Sequence, residues 1–159
     1  MPQLTTKYIN MKKILILVFI CAFFTLKGFG QIYDPIKWSY AAKKTSKTEA
    51  TVYVKATLEK GWHLYSQFVE RGGPQPTKFS FEKSSTYSLS GYTLEPKPIV
   101  RLEPTFMMEV GFFENSVVFQ QKVKLKGKKA AVKGKVKFMV CNDKMCLPPD
   151  EVQFTVDII

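Results

Sequence analysis

The sequence is short of the residues from which most reactive sites are built. It contains one histidine, three cysteines and, among 24 basic residues, only two arginines, Arg71 and Arg101. A lone histidine excludes the His-cluster zinc sites and most copper sites. Two or three thiols, His63 and scattered methionines are too few ligands to converge on an ion, so neither a metal nor another cofactor is expected. Scarce arginine, the side chain that best reads phosphates and bases, argues against nucleic acid as a partner. After Gln31 no apolar run approaches the ~18 residues of a membrane-crossing helix. Nor does any segment show a capped 3.6-residue apolar period, so helices are not expected. What remains is 45% apolar and 14% aromatic, which excludes a disordered chain. At 159 residues it can bury one core without covalent staples.

The front of the chain has a different character. From Met11 the sequence reads MKKILILVFICAFFTLKGFGQ, with two lysines, an apolar run from Ile14 to Leu26, and small residues at Gly28 and Gly30. This is the layout of a secretory signal peptide, expected to span residues 1–30 with cleavage after Gly30 and a true start possible at Met11. The run is short for about 30 Å of hydrocarbon, which disfavours an uncleaved anchor. Removing residues 1–30 takes away four lysines and no acid, reducing the formal charge from +11 to +7. Cys21 leaves with it. The exported remainder, residues 31–159, reads as one domain, and the expected location is the periplasm.

Period-2 alternation dominates that remainder. Val52, Val54, Ala56 and Leu58 share one strand face, as do Phe79 and Phe81. The same alternation runs through Val117, Phe119, Val123 and Leu125, through Val132, Val136, Phe138 and Val140, and through Val152, Phe154, Val156 and Ile158. Gly61, Gly72-Gly73-Pro74, Gly91, Gly127 and Pro148-Pro149 punctuate these runs. Seven to nine short strands at such spacing predict an all-β fold, an immunoglobulin-like antiparallel β-sandwich. Residues 95–114 (EPKPIVRLEPTFMMEVGFFE) break the rhythm with three prolines and a group of Phe and Met residues. They read either as an edge strand with a packed loop or as an apolar lid.

Eight lysines fall within residues 122–137. Their alternate spacing about a tight turn predicts a shared solvated sheet face, protective against edge aggregation or steering an acidic partner, rather than a nucleic-acid patch.

The chemistry-bearing stretch is FMVCNDKMCLPP, residues 138–149. Asn142-Asp143-Lys144-Met145 is turn-forming in composition. If it closes a hairpin, Cys141 and Cys146 come within the roughly 5.5 Å between Cα atoms that a disulfide favours. A bond closing so short a loop gains little chain entropy. Two readings stay open: a redox pair, readily opened and closed, or a local staple in a secreted binding or assembly module.

Val140–Pro149 (VCNDKMCLPP) resembles the active-site loop of the N-terminal periplasmic domain of the thiol:disulfide interchange protein DsbD family. Gly61-Trp62-His63-Leu64-Tyr65 is similar to an aromatic motif of that domain, and the likeness extends from about Tyr33 to Ile159. The resemblance implies an immunoglobulin-like fold and a reductase-type electron carrier without cofactor. It implies that Cys141 and Cys146 are the redox pair, with Cys146 forming mixed disulfides and Cys141 resolving them. Tyr65 and His63 match aromatic positions beside the pair, and Phe112 or Phe113 the aromatic of a covering cap loop. Implied partners are thioredoxin-like periplasmic proteins and a membrane electron conduit. The sequence stops at Ile159, short of the conduit and thioredoxin-like regions of the full-length proteins, so the conduit is expected to be a separate protein.

Overall fold

Strands account for all of the regular structure among the described residues, and the longest of them alternate in polarity. The computed structural model describes residues 33–159; the expected signal peptide, its cleavage after Gly30 and the alternative start at Met11 lie outside them. Eleven strands form three antiparallel sheets. The first sheet takes β1 (Ile36–Lys44), β2 (Glu49–Leu58), β8 (Ser116–Leu125) and β5 (Tyr87–Leu94), in that spatial order. The second runs β10 (Val140–Cys141), β3 (His63–Tyr65), β7 (Met108–Glu114), β6 (Ile99–Glu103). The third runs β11 (Asp150–Ile158), β9 (Ala130–Phe138), β4 (Lys78–Phe81). The architecture is the expected immunoglobulin-like antiparallel sandwich.

The inward faces are those the alternation marks. Val52, Val54 and Ala56 of β2, Phe119 and Val123 of β8, Val132 and Val136 of β9, and Phe154 and Val156 of β11 are all buried in one apolar cluster. Rings tie the sheets together: Tyr40 stacks on Phe154 at 4.9 Å between centroids, and Phe79 meets Phe119 at 4.8 Å. Offset and tilted ring pairs of this kind add to simple area burial. Gly134 of β9 is crowded by both of its neighbours in the third sheet, β11 and β4. A Cβ there would lie 2.7 Å from both the Phe154 ring and the Ser80 carbonyl oxygen, so only glycine fits. One polar residue shares the inward face of β8, the buried Gln121, whose Oε1 accepts a 2.8 Å hydrogen bond from the Thr93 hydroxyl.

The lysine stripe departs from the sequence expectation, whereas residues 95–114 contain the edge strand of one of their two readings. The lysines of residues 122–137 do not share a face, because β8 and β9 belong to different sheets. Lys122 and Lys124 project from the first sheet, and Lys133, Lys135 and Lys137 from the third. Both strands are interior to their sheets, so neither forms a protected edge. Residues 95–114 are a hairpin of β6 and β7 in which β6 is an exposed edge strand.

Two short breaks carry the chain between sheets. Asn115, with φ of 59°, separates β7 from β8, and asparagine is among the residues that tolerate this left-handed conformation. Met139 alone separates β9 from β10. The second break delivers Cys141 out of the sandwich and against β3.

Candidate functional site

Cys141 and Cys146 form a disulfide with their Cα atoms 4.0 Å apart. They face each other as a bridge pair flanked by two backbone hydrogen bonds, from Asn142 N–H to the Met145 carbonyl (2.9 Å) and from Leu147 N–H to the Val140 carbonyl (3.0 Å). That makes them a non-hydrogen-bonded antiparallel pair, the position at which opposed Cα atoms are closest. The turn between them is closed by a side chain. Asn142 Oδ1 accepts from the backbone N–H of both Lys144 and Met145 at 2.9 Å. Asparagine in this role substitutes its amide oxygen for a backbone carbonyl. The two cysteines differ in access: Cys141 is 2% exposed, whereas Cys146 lies on the surface.

Strand register assembles the surroundings. Cys141 is opposite His63, His63 opposite Glu114, and Tyr65 opposite Phe112. Side chains at i and i+2 share a strand face, so one face of the second sheet carries Cys141, His63, Tyr65 and Phe112. These positions, with Val110, make a small interior apart from the main core. His63 Nε2 lies 3.2 Å from the Tyr65 hydroxyl, and its ring packs 5.1 Å from that of Tyr65 and 5.0 Å from that of Phe112. Phe113 has the opposite orientation. With Leu64 and Val140 it faces the main core, where it meets Phe119 at 5.9 Å.

Of the residues singled out from sequence, Cys141, Cys146, His63, Tyr65 and Phe112 are thus brought together, and Phe113 is not. Phe112 and Phe113 are buried within β7 rather than carried on a loop. From the tip of the β6–β7 hairpin, Pro104 and Thr105 share a cavity with the disulfide. Leu102, Glu103, Pro104 and Thr105 line a cavity of about 690 Å³ together with His63 and both cysteines.

Arg101 is the functional candidate that sequence reading passed over. Its guanidinium lies 4.4 Å from the centre of the Phe112 ring, a cation–π contact. Nη1 is 3.9 Å from Glu114 Oε1 and Nη2 is 3.9 Å from Asp143 Oδ1, so it links the hairpin to the disulfide turn. The one available signal was its identity as an arginine in a chain that otherwise uses lysine.

Electrostatics at the site follow from burial. Burial foremost, with the Arg101 charge, pushes the His63 pKa below its ordinary 6.5, against the opposing pull of Glu103, Glu114 and Asp143. The imidazole is therefore uncharged at neutral pH. Burial also pushes the Tyr65 hydroxyl up to about 12, so it stays protonated.

The arrangement, one shielded and one accessible sulfur on a turn that needs no ligand, suits thiol–disulfide exchange. The family model for the N-terminal region of thiol:disulfide interchange protein DsbD matches residues 35–158. The chain belongs to this family.

Solved DsbD-type domains share the fold. The reduced DsbD N-terminal domain of Neisseria meningitidis is 12% identical with a TM-score of 0.52, the match covering 74% of this chain and 82% of that one. The N-terminal periplasmic domain of ScsB from Proteus mirabilis is 15% identical with a TM-score of 0.53, over 81% of this chain and 48% of that one. A Neisseria meningitidis complex between the DsbD and PilB N-terminal domains gives 11% identity and a TM-score of 0.52, over 79% and 88%. No curated protein matches the sequence.

Proposed function

We propose that this DsbD-type domain is a periplasmic electron relay, which reduces thioredoxin-like proteins through Cys141 and Cys146 and is itself reduced by a separate membrane conduit. The observation that carries the reading is the unequal exposure of the two sulfurs' residues across a short turn. In the reduced pair, the Cys146 thiolate attacks one sulfur of the partner's disulfide. The partner's S–S bond breaks, its other sulfur leaves as a thiolate, and a mixed disulfide joins the two proteins. The Cys141 thiolate then attacks Cys146 Sγ and expels the partner's second sulfur. Two electrons have passed to the partner, and the Cys141–Cys146 bond is restored. Burial keeps Cys141 from partners and leaves it one productive target, Cys146.

The neighbouring residues have supporting roles in this reading. His63, Tyr65 and Phe112 wall in Cys141 from below. Phe112 is the aromatic that shields the buried sulfur in this reading, and Pro104 and Thr105 of the hairpin tip border the cavity beside it. A complex of the DsbD and PilB domains in Neisseria meningitidis supports a protein partner for this fold. Descriptions of the ScsB domain as periplasmic support the location.

Trapping tests the relay. A Cys141→Ala variant mixed with an oxidised thioredoxin-like protein is expected to accumulate a covalent complex that dithiothreitol releases and that Cys146→Ala abolishes. If Cys146 is alkylated readily in the same variant yet no complex forms, the relay reading is wrong. A reduction potential below about −300 mV, where structural disulfides lie, would favour the staple instead.

A further inference from the structure

The cavity beside the disulfide is lined by two carboxylates, Glu103 and Asp143, by two cations, Arg101 and Lys144, and by His63. Glu114 of β7 pairs with Arg101 from outside that lining. A thiolate forming here is opposed by the carboxylates of Glu103 and Asp143. His63 cannot supply the compensating charge, because its burial keeps it neutral. Lys144 lies on an exposed turn at the end of a flexible stem.

Arg101 is differently held. Its guanidinium lies against Phe112, which is itself buried, and extends toward Glu114 on one side and Asp143 on the other. A lysine could carry the charge but could neither stack on the ring nor present a planar fork to two carboxylates. Arginine occurs twice in this chain, and one of the two is placed here. Stability is a poor explanation for it. Both ion pairs are solvent-accessible, the Asp143 side chain being 90% exposed, and such pairs contribute about 1 kcal/mol or less.

We propose that Arg101 is a positioning residue for exchange, which holds a fixed positive charge beside the disulfide turn and so stabilises the thiolate of Cys146 while offsetting Asp143 and Glu114. It contacts no reacting atom. It acts through the turn and the field in the cavity, and it rests on the reading of Cys146 as the attacking sulfur. Removing it takes away an attraction and unmasks a repulsion, and both raise the cost of forming the thiolate.

The test is the pH dependence of iodoacetamide alkylation of Cys146 in the Cys141→Ala protein. Arg101→Met is expected to move the midpoint up by about one unit. Because a more basic thiolate is also more nucleophilic, alkylation at neutral pH is expected to slow only about threefold. Arg101→Lys should recover part of the shift. Asp143→Asn, a change on an exposed turn that leaves folding intact, should move the midpoint down. An unchanged midpoint in Arg101→Met overturns the proposal. So does a midpoint in Arg101→Lys equal to that of Arg101→Met, since charge would then not be the cause, and so does Asp143→Asn without effect. Alkylation needs no partner protein, so these outcomes are separate from failure of the trapping experiment.

Discussion

Phe112 and Phe113 are neighbours in β7, yet they occupy two different interiors. Phe113 enters the main core with Leu64 and Val140, among valines and aromatics from all three sheets. Phe112 enters a small compartment with Tyr65, Val110 and Cys141, beside the buried His63. One sheet divides them, and the pleat assigns successive residues to one side or the other. The main core is built almost wholly of apolar side chains, so its contribution is to stability. The small compartment places a sulfur, an imidazole and a phenol in buried volume, beside the disulfide.

The contrast can be broken most forcefully at those two rings. Phe113→Ala and Phe112→Ala should each cost about 3–5 kcal/mol of unfolding free energy, as for other buried phenylalanines. Only Phe112→Ala should alter the chemistry, speeding alkylation of the reduced pair at alkaline pH, where ionisation no longer limits the rate. Equal alkylation rates in the two variants would mean that the compartments are not functionally distinct.

A smaller effect is expected from reduction of the disulfide. The loop it closes is so short that its loss should remove about 2 kcal/mol or less. The reduced protein should therefore retain its strand content and melt only modestly below the oxidised form. A collapse on reduction would make the bond a staple.

Smallest is the pH effect of His63. Its folded pKa lies below the ordinary 6.5, so the unfolded chain binds its proton first as pH falls. The contribution is complete above that ordinary value and declines as pH drops through it toward the folded one. Urea unfolding at neutral and mildly acidic pH should show this decline, and His63→Phe should flatten it.

What could be read in the sequence followed the division between interiors. β2, β8, β9 and β11 each have one buried and one solvated face, and their alternation is plain. β7 is buried on both sides around Gly111, so Val110, Phe112 and Phe113 show no alternation. β6 is exposed almost throughout and shows no contrast either. The disulfide turn was legible because its residues are contiguous and rich in turn formers. His63 and Tyr65 were legible only through the resemblance of Gly61–Tyr65 to the family's aromatic motif. The Arg101–Asp143 link joins residues on separate elements brought together only by the pairing of β3 with both β7 and β10, and no local pattern announces it. Phe113 was drawn into the cap by position and composition, which cannot distinguish one face of a strand from the other.

The side-chain closure of the turn by Asn142 has a kinetic consequence. Its two hydrogen bonds and the flanking backbone pair do not include sulfur, so opening the disulfide breaks none of them directly. In the proposed relay, a partner attached to Cys146 leaves Cys141 at cross-strand distance, at an effective concentration far above that of any thiol in solution. On that proposal the covalent complex is short-lived, because the resolving sulfur is already in place.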